Sequence, residues 1–346
     1  MTSAPSSILD PRVRLHVVTG KGGTGKTTLA AALAVALAMA GRKVLLTEVE
    51  GRSSIASAFD IAPLSGQEQL LLRVGEGEVH GLSIEAKAAL IEYLGTFYKL
   101  GRAGSALEKL GAIDFATTIA PGVRDLLLVG KVFESVRRRA AQPHGGRRGQ
   151  ASGVGGEEPA YDAVVLDSPP TGRVVQFLNV SEAVGDLTRM GPIHSQSKSI
   201  MQLLRSRECA VHITTLLEEM PVQETADAVA ELREAGLPVG SILVNQAQGD
   251  LMSAATVEAC VSGTVDVEGL RLGLRTLGLP DDEETARALV AQGRSHATRL
   301  ALEDSMLDEL DTLGQPVLLL PRLLDPKGAA GLRRLADELT AQAVLS

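Results

Sequence analysis

The chain has 346 residues, 45% of them hydrophobic, with two cysteines, no tryptophan and a formal charge of −8. That length carries one large α/β domain whose core must be filled by Leu, Val, Ala and Ile, and the acidic balance argues against a dedicated nucleic-acid binder. Cys209 and Cys260 lie far apart and form no CxxC pair, which argues against a cysteine zinc site, a thioredoxin-like centre or a disulfide framework.

The N-terminal stretch MTSAPSSILDPR lacks the apolar core of a secretory signal. The longest apolar run, LAAALAVALAMA, is too short to span a bilayer. The expectation is a cytoplasmic protein without stable membrane insertion and without a nucleic-acid partner.

RLHVVTG is a short apolar run ending in glycine and predicts a buried strand. TTLAAALAVALAMAG follows as an Ala/Leu helix closed by Gly41, and KVLLTEVE as a second strand with acids at its end. Strand, glycine loop, helix and strand make one βαβ unit. The segment 83–139 reads as helical, then 140–159 as a flexible connector rich in Gly and Arg. YDAVVLDSPPTG resumes the sheet, with Asp167 at a strand tip, and helices are expected over 174–208. CAVHITTL, VGSILVNQ and PVLLLPRL are further strands, separated by VQETADAVAELREAG and by a mostly helical stretch over 251–312. GAAGLRRLADELTAQA is the last helix. The alternation predicts an α/β fold: a doubly wound, mostly parallel sheet, one domain over 1–346 with inserted helical subdomains at 83–139 and 174–208.

Gly20, Gly25, Lys26 and Thr27 satisfy GxxxxGK[ST] between a predicted strand and a predicted helix. Glycines let successive backbone N–H groups turn inward on an anion, and the helix that follows adds its positive end. The phosphate cradle is therefore assigned to Gly22, Gly23, Thr24, Gly25, Lys26, Thr27 and Thr28. Lys26 is expected on the β- and γ-phosphates, and the Thr27 hydroxyl on Mg²⁺. Asp167, at the end of an apolar strand, supplies the carboxylate that a Mg²⁺ site needs. ATP and Mg²⁺ are the expected cofactors.

The pattern GKGGTGKT resembles the deviant P-loop of a dimeric ATPase class. The segment DSPPTGRVVQFL resembles the DTAPTGHTxRxL segment of the arsenical-pump and tail-anchored-protein-targeting ATPases within that class. The resemblance extends from about 13 to 340, with FATTIAPGVRDLLL and MPVQETADAV similar to the actinobacterial branch. It implies that Lys21, the second lysine of the loop, crosses a dimer interface to the partner's nucleotide. It implies that EVEGRSSIASAF is the segment holding the water-orienting carboxylate, which falls on Glu50, with Glu48 the second choice. Lys21, Lys26 and Glu50 are thus the expected catalytic residues. Asn245, in VNQ, and Pro321, Arg322 and Leu323 are expected around the adenine.

The sequence departs from the family at several points. Arg173 stands where the family has histidine, and Glu50 where it has aspartate. The zinc-binding CxxC of the eukaryotic targeting ATPases and the arsenite-binding cysteines of the pumps are missing. Only Met190 and Met201 lie in the second helical insert, which disfavours a methionine-lined client groove.

Two principal functions are weighed. One is a Mg-dependent dimeric ATPase whose helical region binds a client or partner and opens and closes with nucleotide state. The other is an ATP-binding, weakly hydrolysing scaffold paired with an active paralogue. A third, a membrane- or DNA-positioning ATPase, rests on Leu332, Leu335 and Leu339 beside Arg333 and Arg334 of the last helix; packing in the fold accounts for those leucines more simply.

Overall fold

The computed structural model describes residues 7–49, 53–98, 121–140, 158–187, 192–249 and 252–345. Its centre is a sheet of eight described strands: β1 (Leu15–Gly20), β2 (Lys43–Val49), β3 (Gln69–Val74), β4 (Gly77–Ile84), β5 (Ala163–Asp167), β6 (Cys209–Thr215), β7 (Val239–Ala247) and β8 (Val317–Pro321). The order across the sheet is β3-β4-β2-β5-β1-β6-β7-β8. Every neighbouring pair is parallel except β3–β4.

Parallel strands are covered on both faces, and here the interior strands are buried without alternation, as in β1, β5 and β6. Two apolar layers result. On one face, Leu15, Val17, Leu45, Val164 and Leu166 of the sheet join Phe177, Leu178 and Ile200. On the other, Val18, Val44, Leu46 and Val165 join the helix α1 (Lys26–Met39).

Helix α1 is buried on all sides from Leu29 to Ala38. Its alanines allow close approach of both the sheet and α11 (Gly328–Leu345), whose Leu332, Leu335, Ala336 and Leu339 lie in the same core cluster. Those three leucines are at most 1% exposed. They are core residues, and the polar side of α11 carries Arg333 and Arg334.

The remaining helices are α2 (Ser54–Phe59), α3 (Ala86–Tyr98), α4 (Pro121–Arg137), α5 (Thr171–Leu187), α6 (Pro192–Leu204), α7 (Glu219–Glu234), α8 (Ala254–Ser262), α9 (Val267–Thr276) and α10 (Glu283–Asp311). Helices α8, α9 and α10 fill the predicted helical stretch between β7 and β8; Ser253, Asp266 and Asp282 cap them, each side chain accepting a backbone N–H three residues on. Among the described residues, no helix is long and apolar enough to cross a membrane.

Three boundaries differ from expectation. The helical segment placed at 83–139 begins inside β4, and its first helix starts at Ala86. The second, placed at 174–208, starts earlier at Thr171, and its last helix ends at Leu204. Most of the connector 140–159 lies outside the described residues, but its flanks are paired: Ala140 N–H donates to Glu158 O at 3.0 Å and Ala160 N–H to Arg138 O at 2.9 Å.

The hairpin β3–β4 was not anticipated at all. Strand β3 is largely exposed and irregular, with a register shift between Leu70 and Leu72, whereas β4 is mostly buried. The hairpin's tight connection at Gly75, φ +58°, carries the turn signal.

Candidate active site

The sheet order inserts β5 between β1 and β2, so three neighbouring strand ends bring the site residues together. In register, Val18 of β1 lies beside Asp167, and Asp167 lies beside Glu48 of β2. Glu48 follows Val44 and Leu46 at period two, and Asp167 follows Ala163 and Val165. Both carboxyls therefore face the layer that contains α1.

The loop from Gly20 to Gly25 leads from β1 into α1. Gly25 has φ +89°, and a Cβ there would meet Asn245 Nδ2 at 2.2 Å. At Gly20 a Cβ would meet the Thr214 backbone oxygen at 2.3 Å. Both positions require glycine, for conformation and for close approach.

Thr24 Oγ1 donates to Lys21 O at 2.9 Å and shares a second contact with Thr214 Oγ1 at 2.7 Å. Lys26 Nζ also donates to Lys21 O, at 3.1 Å. The curled loop is thus braced from inside by its own side chains.

Thr27 Oγ1 donates to Asp167 Oδ2 at 2.5 Å, joining the first turn of α1 to the end of β5. Burial pushes the Asp167 carboxyl up from its ordinary value, while the Thr27 hydrogen bond and the Lys26 charge pull it down. The next segment is fixed to β1: Ser168 N–H donates to Val18 O at 3.0 Å, and Thr19 Oγ1 to Pro169 O at 2.8 Å. Lys26, Thr27, Glu48, Ser54 and Asp167 line a single pocket.

Mg²⁺ fits these residues on their chemistry. Hard oxygen donors, the Thr27 hydroxyl and the Asp167 carboxyl, meet there. A further carboxyl oxygen, Glu48 Oε1, is buried at the pocket without a hydrogen-bond partner among the described residues.

The other expected residues fall as follows. Glu50 lies outside the described residues, between Val49 of the pocket wall and Ser54. Lys21 is one-third exposed at the loop's outer side and pairs with Glu224 of α7 at 2.6 Å. Gly22 and Gly23 are exposed, and Thr28 is half-buried. Asn245 sits behind the loop, where its Nδ2 donates to Thr24 O at 3.0 Å and its Oδ1 accepts from Gln246 N–H at 3.0 Å. Pro321 is the register partner of Ala247, and Arg322 N–H donates to Ala247 O at 3.1 Å, so the segment 321–323 stands beside the end of β7. Arg173 is exposed in the first turn of α5.

Sequence reasoning placed Glu48 second and missed Ser54 and Thr214. The EVE spacing held the signal for Glu48, since acids two apart on a strand share a face. Ser54 lies within EVEGRSSIASAF, where the sequence offered no reason to prefer it over its neighbours, and Thr214 reaches the loop from β6, some two hundred positions away, which no local pattern reports.

The fold and site together define a P-loop nucleoside triphosphatase. Residues 13–210 match the anion-transporting ATPase family. The chain is 45% identical to the ATPase BagA of Mycobacterium tuberculosis over 96% of its own length and 94% of the relative's. It is 25% identical to ATPase GET3 of Kluyveromyces lactis over 66% of its length and 70% of the relative's. A third relative, from Aquifex aeolicus and named for an arsenical pump-driving ATPase, is 23% identical over 68% of this chain and 80% of the relative. The chain belongs to the anion-transporting ATPase family and is, with it, an ATP-hydrolysing enzyme.

Proposed function

We propose that the protein is a Mg²⁺-dependent ATPase that works as a dimer, homomeric or with a related chain. Nucleotide state would set the position of a helical region that binds a protein client or partner. The observation that carries the reading is the convergence of Lys26, Thr27 and Asp167 at the ends of adjacent strands, with Lys21 at the outer edge of the same loop.

In this reading the loop N–H groups and the α1 N-terminus hold the phosphates. Lys26 and, from the partner protomer, Lys21 offset negative charge on the γ-phosphoryl. Thr27 and Asp167 would hold Mg²⁺, which would supply positive charge against the phosphates. Glu50 orients the attacking water. Asn245 and the segment 321–323 are assigned to the adenine. The coupling route is short: Asp167 to Pro170 runs directly into α5, which packs against α4 and α6 of the helical layer.

The departures at Glu50 and Arg173 favour a second reading, an ATP-binding scaffold subunit that hydrolyses weakly beside an active paralogue. One experiment divides the two. Purified protein is assayed for ATP binding and for phosphate release, alongside Lys26→Ala and Glu50→Ala. The ATPase reading expects Lys26→Ala to lose binding, and Glu50→Ala to bind ATP yet release phosphate at least about 100-fold more slowly. ATP trapped stoichiometrically by the native chain without phosphate release favours the scaffold. Equal loss of binding in both variants overturns the assigned roles.

A further inference from the structure

Glu48 is 1% exposed at the end of β2. Its two carboxyl oxygens have different surroundings. Oε2 accepts three hydrogen bonds from the start of α2: Ser54 N–H at 2.9 Å, Ser54 Oγ at 2.7 Å and Ile55 N–H at 3.0 Å. Oε1 is buried and, among the described residues, accepts none. A role confined to holding α2 is complete with Oε2. It leaves the second oxygen desolvated with nothing in return.

The position of Glu48 accounts for that oxygen. The residue lines the same pocket as Lys26, Thr27 and Asp167 and is Asp167's register partner on the adjacent strand. Ser54 Oγ, which serves Glu48, also approaches Asp167 Oδ2 at 3.4 Å. Two carboxyls on one face of the sheet thus share one hydroxyl within the same pocket.

We propose that Glu48 is a positioning residue of the metal site: Oε1 accepts a hydrogen bond from a water of the Mg²⁺ hydration shell, while Oε2 ties that shell to the start of α2. Mg²⁺ keeps several of its waters when bound through few protein ligands, so an acceptor just outside the ligand sphere is the expected complement. The bond from shell to α2 passes through a single carboxyl group. That carboxyl would link the metal pocket to the start of α2 at Ser54 and Ile55. The inference rests on the Mg·ATP reading above.

The test measures affinity, with no turnover. Binding of ADP and of a non-hydrolysable ATP analogue is determined by calorimetry in Mg²⁺ and in EDTA, and the ratio of the two affinities is the metal-dependent gain. Glu48→Gln keeps the shape and the acceptor toward α2. It is expected to cut that gain by about 10-fold or more while leaving the EDTA affinity near the native value. Ser54→Ala, which removes a hydroxyl partner but leaves Glu48 Oε1 in place, is expected to keep most of the gain. Where Glu48→Gln does not fold, Glu48→Asp, which retains charge but is shorter by one methylene, is expected to cut the gain as well. An unchanged gain in a folded Glu48 variant, or an equal loss in both arms, overturns the proposal. Absence of nucleotide binding in the native chain would instead remove the reading beneath it.

Discussion

The Lys21 ammonium stands 2.6 Å from the Glu224 carboxylate, tying the first lysine of the P-loop to helix α7 of its own chain. A lysine that serves a partner's nucleotide must first leave this contact. Both side chains are about one-third exposed, and such ion pairs contribute about 1 kcal/mol or less. The tether is therefore weak enough for a triphosphate to displace. Glu224→Gln is expected to leave the melting temperature nearly unchanged and to strengthen ATP-dependent association, as followed by sedimentation velocity. Weaker association in the variant would mean that Glu224 supports the interface instead of competing with it.

Gly25 carries a second prediction. Its positive φ and the 2.2 Å approach of Asn245 Nδ2 to a would-be Cβ leave no room for a methyl group. Gly25→Ala is expected to lower ATP affinity by at least about 100-fold, the consequence of a strained loop whose N–H groups no longer converge. Asn245→Ala removes the brace to Thr24 O without touching the loop's conformation directly. Its loss, read by the same titration, is expected to be smaller, about 10-fold.

A buried histidine pair sets a pH dependence. His212 accepts from Ser241 N–H through Nδ1 at 3.1 Å, so its Nε2 carries the proton and donates to His16 Nδ1 at 3.2 Å. Both rings are buried. Burial lowers the His212 pKa to about 4, and burial together with the neighbouring ring holds His16 well below its ordinary value. The unfolded chain, with ordinary histidines near 6.5, binds protons first as pH falls. Stability is therefore fully present above about pH 6.5 and is lost between there and about pH 4, by on the order of 3 kcal/mol for His212. Thermal unfolding across that range is expected to show a steeper decline in the native chain than in a folded His16→Gln/His212→Asn variant. Parallel profiles would show that carboxylates alone govern the acid limb.

Cys209 is fully enclosed between β1 and β7, and burial pushes its thiol up to about 12. A protonated, inaccessible thiol is a poor nucleophile. Native protein treated with iodoacetamide near neutral pH is expected to stay unmodified at Cys209, whereas protein in denaturant labels readily. Labelling of this site without unfolding, read by mass spectrometry, would indicate that the central strands open.

Much of the fold was legible because its signals are local. The apolar runs from Leu15 and Ala163, the glycines at 20, 22, 23 and 25, and the alanine-rich run after Lys26 each report on neighbours only a few residues away. They determined the βαβ unit, the phosphate loop and the metal-proximal role expected of Asp167. The hairpin β3–β4 was missed because its signals are weak: β3 is mostly exposed with a register shift, and β4, GEVHGLSI, is interrupted by Gly81 and polar residues.

What the amino-acid order alone determined was the class of chemistry, since a glycine-rich turn between strand and helix makes an anion cradle wherever it folds. Only the tertiary structure decided that β5 lies between β1 and β2, and with it that Glu48 and Asp167 share one face at the phosphate-loop end of the sheet. It also decided that Lys21 is held by Glu224, a residue some two hundred positions away. Strand order and cross-chain pairing are set by long-range burial of both sheet faces, and that energy depends on contacts between segments that no local pattern can see.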